Sequence, residues 1–128
     1  MIPSPSPRQP LLVWWTLWAA FIMGLCQIYY FLGNAAPAHP VHNSTSPFVA
    51  ALGLLPVAAS ILVRWVVLPR ISEARQAFPI FILGIALAEA SCFIGLFIFP
   101  AYKEAFFAFS LLGIAQFIPV FASRYLAR

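Results

Sequence analysis

Four long apolar runs dominate the pattern of hydrophobic and polar positions along the chain. They cover residues 11–32, 48–68, 78–99 and 105–121. Proline or charged residues mark nearly every boundary, as expected where helices end. Because about 20 apolar helical residues cross a hydrocarbon core of roughly 30 Å, each run predicts a transmembrane helix. The first run is too long for the apolar part of a signal peptide, so we interpret it as a true span.

Composition strengthens this prediction. The 128 residues are 63% hydrophobic and 8% charged, whereas water-soluble domains are about half apolar and about a quarter charged. This composition excludes a soluble protein, and with it a nucleic-acid binder, although the formal net charge is +4. The sequence therefore predicts an all-α polytopic membrane protein, a single domain over residues 1–128 in which four transmembrane helices form an antiparallel bundle in the lipid bilayer.

The basic residues predict the orientation, since Lys and Arg accumulate in short cytoplasmic loops. Six of the seven basic residues fall on one side if both termini share that side. They are Arg8, Arg64, Arg70, Arg75, Arg124 and Arg128. Only Lys103 falls on the opposite side. Both termini are therefore predicted to be cytoplasmic.

Small residues predict where the helices pack, because helices in lipid associate through close contacts between small side chains. At 3.6 residues per turn, four small residues of the third helix share a narrow arc: Gly84, Ala88, Ser91 and Gly95. On the fourth helix, Ala108, Ala115 and Ala122 recur at heptad spacing and predict a second smooth face. In the second helix, Pro56 removes a backbone donor and is expected to bend the span.

One charged residue lies deep within a predicted span. Glu89 is about 16 Å from the cytoplasmic end of the third helix, by the helical rise, and it shares its face with Ile85, Phe93 and Leu96. A charge at this depth costs at least about 2.5–3.5 kcal/mol, so we treat Glu89 as a candidate functional residue. Apolar neighbours favour the protonated carboxyl. Glu89 is therefore a candidate for holding and releasing a proton or cation.

Other polar residues lie at depths near that of Glu89. Arg64 enters the second span by about one turn, Gln116 lies between the depths of Arg64 and Glu89, and Ser60 and Ser110 lie close to the same levels. If they converge, they form a polar ladder from the cytoplasm to the midplane. Alternatively, Arg64 snorkels to the interface, and the amide and hydroxyls bond backbone carbonyls or link helices.

The remaining features favour no catalytic chemistry. His39 and His42 lie in the loop between the first two spans without nearby Cys, Asp or Glu, which falls short of a metal site. Cys26 and Cys92 lie at similar predicted depth, so a disulfide between the first and third helices is geometrically conceivable. The favoured alternative is that they are free, because buried cysteines usually behave as small hydrophobic residues. No phosphate-binding loop or catalytic triad pattern is present. The sequence therefore predicts no enzyme, no cofactor and no metal.

Two segments resemble proteins of rotary ATP synthases. Residues 84–96, with Glu89 among small residues and Gly95-Leu96 after it, resemble the ion-binding helix of the c-type proteolipid subunit. That resemblance implies that Glu89 is the ion-carrying carboxylate. Pro56, Glu89-Ala90 and Gln116–Pro119 also resemble the ATP synthase protein I family, small four-helix proteins thought to help ring assembly. Together the resemblances imply rotary-ATPase surroundings. The predicted location is a bacterial inner (plasma) membrane.

Two functional hypotheses follow. In the first, the protein is small, oligomeric and proteolipid-like, and Glu89 handles a proton or cation with help from Gln116 and from Ser60 or Arg64. In the second, it is a non-catalytic accessory or assembly subunit that packs against a larger membrane complex. The expected partners are lipid and either further copies of this chain or other membrane subunits.

Overall fold

The computed structural model describes residues 8–35 and 46–126. These residues are almost entirely helical, and they contain no strand. In chain order the helices are α1 (Arg8–Ala35), α2 (Pro47–Leu52), α3 (Leu55–Leu62), α4 (Ala74–Phe97), α5 (Lys103–Ala115) and α6 (Ser123–Leu126). A π-helical turn at Val63–Val67 and a 3-10 turn at Leu68–Arg70 follow α3. Further 3-10 turns, Pro100–Tyr102 and Pro119–Ala122, flank α5.

Four helical segments within the described residues are long and apolar enough to cross a membrane. They are Leu11–Asn34, Pro47–Arg70, Ala74–Phe97 and Lys103–Tyr125, here called the first to fourth spans. Each has 23 or 24 residues, which suffices for a hydrocarbon core of about 30 Å. These segments confirm the all-helical fold class and indicate an integral membrane protein.

The third span begins four residues before the predicted Phe78. Helix α4 starts at Ala74 because the Glu73 carbonyl accepts from Gln76 N at 3.2 Å and from Ala77 N at 3.0 Å. The helix then continues through Pro79, whose missing N–H removes only one bond of the ladder. Only residues 71–73 therefore connect the second span to the third.

Helix α4 occupies the centre of the bundle. It packs antiparallel to α5, because contacts join Gly84 to Phe117 at one end and Gly95 to Phe106 at the other. The second span packs on one side of this pair, where the Ser91 hydroxyl donates to the Gly53 carbonyl at 3.1 Å. The first span packs on another side, where Leu96 of α4 lies beside Gly33.

Aromatic side chains fill the end of the bundle where the first and third spans begin. Trp14 is 5% exposed and packs against four rings, whose centroids lie 4.8–6.1 Å away: Phe78, Phe81, Phe121 and Tyr125. Large aromatic side chains bury extensive area and favour such edge and offset contacts. The cluster therefore fixes the first span against α4 and the end of the fourth span.

Proline interrupts two of the four spans. In the second, α2 ends at Leu52 and α3 begins at Leu55, with Pro56 in the first turn of α3. In the fourth, α5 ends at Ala115 and the 3-10 turn begins at Pro119. A proline cannot donate to the carbonyl four residues before it. Each break therefore exposes backbone carbonyls that need donors from elsewhere in the protein.

The stripe of small residues on α4 and the alanines of the fourth span differ in their packing. All four residues of the stripe are buried: Gly84, Ala88, Ser91 and Gly95. On α5, however, Ala108 and Ala115 are exposed, and only Ala122 beyond the break is buried. The alanine face of the fourth span therefore does not form the contact with α4, because larger side chains of that span, Phe106 and Phe117, fill the space above the glycines of α4.

Candidate functional site

The break in the fourth span is closed by donors from two other spans. Ile118 N donates to the Ala115 carbonyl at 3.1 Å, and Val120 N donates to the Ile118 carbonyl at 2.8 Å. The Gln116 carbonyl therefore has no helical donor and accepts from Arg64 Nε at 2.8 Å. The Ile114 carbonyl accepts from Trp18 Nε1 at 2.9 Å. Arg64 of the second span thus satisfies the Gln116 carbonyl, and Trp18 of the first span adds a second donor to the Ile114 carbonyl, which also accepts from Phe117 N at 3.0 Å.

The Gln116 side chain bonds on both sides of its amide. Its Oε1 accepts from Trp65 Nε1 at 3.0 Å, and its Nε2 donates to Ser60 Oγ at 3.4 Å. We call Ser60, Arg64, Trp65 and Gln116 the Gln116 cluster. All of its members except Gln116 lie on α3 or on the π-helical turn after it. Arg64 and Trp65 are neighbours within that π-helical turn, and both bond Gln116: Arg64 at the backbone carbonyl and Trp65 at the side-chain oxygen.

Aromatic rings stabilise the Arg64 guanidinium, which has no acidic partner among the described residues. It lies 4.4 Å from the ring centroid of Phe121 and 4.8 Å from that of Trp65. Cation–π contacts of this kind contribute about 0.5–2 kcal/mol, more when water is excluded. Together with the bond to the Gln116 carbonyl, they explain Arg64 as a cap on a broken helix.

A second polar contact closes the break in the second span. Pro56 has no N–H, and Gly53 and Leu54 form tight turns by donating to Ala50 and Ala51. The fully buried Ser91 hydroxyl then donates to the Gly53 carbonyl at 3.1 Å. Ser91 therefore combines small volume, which permits close packing, with a donor that the break requires.

Ser110 lies in the same interface without a partner. The α4–α5 register places it level with Ser91, and its side chain has 0% exposure. Its Oγ makes no hydrogen bond within the described part of the chain. A buried hydroxyl without a partner costs about 1–3 kcal/mol, so Ser110 opposes stability at this position.

Glu89 lies apart from the Gln116 cluster. Residues two positions apart on a helix point about 200° apart, so Glu89 faces away from the second span, which Ser91 contacts. It lies instead toward the side of α4 where Leu96, two turns further along, packs beside Gly33. Its side chain is half-buried, next to the fully buried Ile85. It forms no hydrogen bond or ion pair with any residue in the described ranges.

The predicted ladder is thus divided into two parts. The structure brings Ser60, Arg64 and Gln116 together on the side of the second span, whereas Glu89 lies on the other side of α4 and about 6 Å further along its axis than Gln116, by register and helical rise. The polar groups of the cluster bond one another or backbone. Among the four candidate ion-binding residues, Glu89 is therefore the one whose polar atoms are uncommitted within the described residues.

Sequence reasoning missed several donors that shape the site. Trp18 and Trp65 bond groups around the Pro119 break, and Lys103 Nζ donates to the Gly33 carbonyl at 2.8 Å near the end of α1. Pro119 carried the available signal, because a proline within a span predicts unpaired carbonyls that indole or cationic donors from other helices can satisfy.

The structure also bears on the two cysteines and on possible metal-binding residues. Cys26 is exposed, Cys92 is buried, and both are free thiols. His39 and His42 lie outside the described residues, as does Arg128. No group of three or more potential metal-binding His, Cys, Asp or Glu residues occurs within the described ranges.

Comparison with protein-family models, with curated proteins and with solved structures finds no match to this chain.

Proposed function

We propose that the protein is a small, oligomeric, non-enzymatic membrane protein that binds a proton or cation at Glu89. The observation that supports this proposal is the placement of Glu89. It is half-buried on the central helix, among apolar neighbours and without a polar partner in the described residues. A mid-membrane carboxylate is costly enough to need a functional reason, and a bound proton or cation neutralises its charge.

The geometry also supports oligomerisation. Glu89 lies at the edge of the buried face of α4 and is partly accessible from outside the chain. Charged residues within a membrane almost always face a bundle interior or a water-filled cavity. A second copy packed over the exposed part of Glu89, beside the first span of this chain, would enclose the carboxyl and supply further ligands. The Gln116 cluster then has a structural role, holding the second and fourth spans together.

The proposed location is a bacterial inner membrane with both termini cytoplasmic. Arg70 and Arg124 lie at one end of the bundle, where both line one cleft, and Lys103 lies at the other end beside Gly33. The excess of basic residues at the first end supports its assignment to the cytoplasmic side.

Carbodiimide labelling tests the binding of a proton or cation at Glu89. The reagent attacks protonated carboxyls in apolar surroundings, so we expect one adduct on Glu89 and slower labelling as the pH rises or as a competing bound cation is added. Glu104→Gln is the matched control, since Glu104 is an exposed carboxylate at the start of α5. Glu89→Gln should abolish the adduct, and Glu104→Gln should retain it. Absence of labelling at Glu89 at every pH would refute the proposal.

A second candidate function is that of an accessory subunit. It is favoured by the position of the Gln116 cluster on the other side of α4. Within the described residues, no series of polar side chains connects Glu89 to the end of the bundle where Arg124 lies. A carboxyl that pairs with a cationic or amide group of another protein needs no such path. Co-purification from native membranes distinguishes the functions: a stable homo-oligomer that retains no other subunit contradicts the accessory role.

A further inference from the structure

A polar cleft lies where the second span, the start of α4 and α6 meet. Its volume is about 180 Å³. It is lined by Pro69, Arg70, Ile71, Ser72, Arg124 and Tyr125. A water molecule occupies about 30 Å³ of liquid, so the cleft has room for a small anion with bridging water. It is separate from Glu89, which lies about 22 Å along α4 from Ala74 by the helical rise.

One backbone carbonyl orients two side chains of the cleft, Arg124 and Tyr125. The Leu68 carbonyl accepts from Arg124 Nη2 and from the Tyr125 hydroxyl, each at 3.1 Å. Arg124 Nη2 also lies 2.9 Å from the Tyr125 hydroxyl oxygen. Leu68 itself is fully buried. The Arg124 guanidinium is therefore positioned before any ligand binds.

Arg124 retains unused donors. A guanidinium carries five N–H groups in a fixed planar arrangement, and within the described residues only Nη2 of Arg124 donates a hydrogen bond. Arg70, which is exposed and also lines the cleft, makes no hydrogen bond or ion pair with the described part of the chain. Glu73 is exposed and does not line the cleft. Two uncompensated positive charges therefore face one small polar space.

This chemistry favours a phosphate group. Guanidinium groups bind phosphate oxygens through paired, charge-assisted hydrogen bonds, and Ser72 offers a further hydroxyl. The cleft also lies at the ends of the apolar spans, where headgroups are expected, and Tyr125 stacks on Trp14 with ring centroids 6.1 Å apart. Basic pockets between helices at the cytoplasmic surface are suited to anionic lipid headgroups.

We propose that the cleft formed by Arg70, Ser72, Arg124 and Tyr125 binds one phosphate group. The group comes either from the headgroup of an anionic phospholipid or from free phosphate. The site is independent of ion binding at Glu89, and either one can fail without the other.

The test uses the full-length protein and two sources of phosphate. In the first arm, phosphatidylglycerol is titrated into nanodiscs of phosphatidylcholine, and bound lipid is counted by native mass spectrometry after release. In the second arm, inorganic phosphate is added to detergent-solubilised protein, and the shift in unfolding temperature is measured. Both arms compare the wild type with Arg70→Gln, Arg124→Gln and Arg75→Gln. Arg75 is the matched control, because it is an exposed arginine near the same connection that does not line the cleft.

The variants distinguish a specific binding site in the cleft from general attraction between basic residues and anions. We expect Arg70→Gln and Arg124→Gln each to weaken phosphate or lipid binding about five-fold or more, from about 1 kcal/mol per basic residue near a membrane surface, and Arg75→Gln to leave binding unchanged. A response in the nanodisc arm alone identifies a lipid headgroup, and a response to inorganic phosphate identifies a soluble source. Arg70 makes no hydrogen bond within the described residues, so Arg70→Gln remains informative even if Arg124→Gln fails to fold. Equal losses in all three variants, or no response in either arm, would overturn the proposal.

Discussion

Replacing Gly84 with alanine should weaken the contact between α4 and α5. A Cβ built on Gly84 overlaps the ring of Phe117, whose Cε1 would lie 2.6 Å away. The ring has little room to move, because Phe117 has 0% exposure and its centroid lies 6.1 Å from that of Phe81. The substitution must therefore displace either the ring or the helices.

The size of the effect follows from comparison with a second glycine. Adding a methylene-sized group to a packed core typically costs about 1–3 kcal/mol, whereas alanine is favoured over glycine within a helix by about 0.8–1.0 kcal/mol. Gly24 of α1 supplies the control, since nothing lies within 4 Å of a Cβ built there. The propensity gain is common to both substitutions. Gly84→Ala should therefore be less stable than Gly24→Ala by about 1–3 kcal/mol.

Reversible unfolding by sodium dodecyl sulfate in mixed micelles, followed by tryptophan fluorescence and circular dichroism, gives the free energies. A double-mutant cycle with Phe117→Leu then identifies the cause. If the ring is the obstacle, the pair Gly84→Ala and Phe117→Leu should cost at least about 1 kcal/mol less than the sum of the two single changes. Equal stabilities of Gly84→Ala and Gly24→Ala, or an additive cycle, would refute the packing argument.

Two further predictions concern buried groups. Ser91→Ala should lose about 0.6 kcal/mol, the average for a side-chain hydrogen bond between membrane helices, because the bond to Gly53 disappears. Ser110→Ala should be neutral or stabilising, since that hydroxyl has no partner among the described residues; the opposite order in the same unfolding assay would contradict the hydrogen-bond assignments. N-ethylmaleimide in mild detergent should modify the exposed Cys26 but leave the buried Cys92 until the protein unfolds. Mass spectrometry should show a single adduct on the folded protein, and a disulfide or two adducts would contradict the placement of these thiols.

Hydrophobic length and proline position were sufficient to predict the main elements. Runs of about 20 apolar residues leave few structures other than spanning helices, and the sequence also indicated a disturbance at Pro56. The position of a proline did not show whether it would interrupt its helix. Pro79 lies within α4 without ending it, whereas Pro119 and Pro56 interrupt their spans, because donors from other helices are available there for the exposed carbonyls.

Helix rotation limited the prediction of the site. Residue number gives depth directly through the helical rise, so Ser60, Arg64, Gln116 and Glu89 were all placed near the same levels. Which of them meet depends on how each helix turns about its axis, and this is set by packing against neighbours. Ser91 on α4 contacts the second span, which leaves Glu89 on another side of the helix. The π-helical turn at Val63–Val67, which sets the direction of Arg64 and Trp65, has no clear sequence signal.

Ion flux through reconstituted protein tests the role of Glu89 most directly. Wild-type protein, Glu89→Gln and Glu89→Asp are placed in liposomes that contain a pH-sensitive dye, and proton or cation movement is measured under an imposed potential. We predict flux for the wild type, partial flux for Glu89→Asp, which keeps the carboxyl, and background flux for Glu89→Gln, with all three proteins equally folded by circular dichroism. Flux of Glu89→Gln equal to that of the wild type would contradict the assignment of Glu89 as the group that carries the ion.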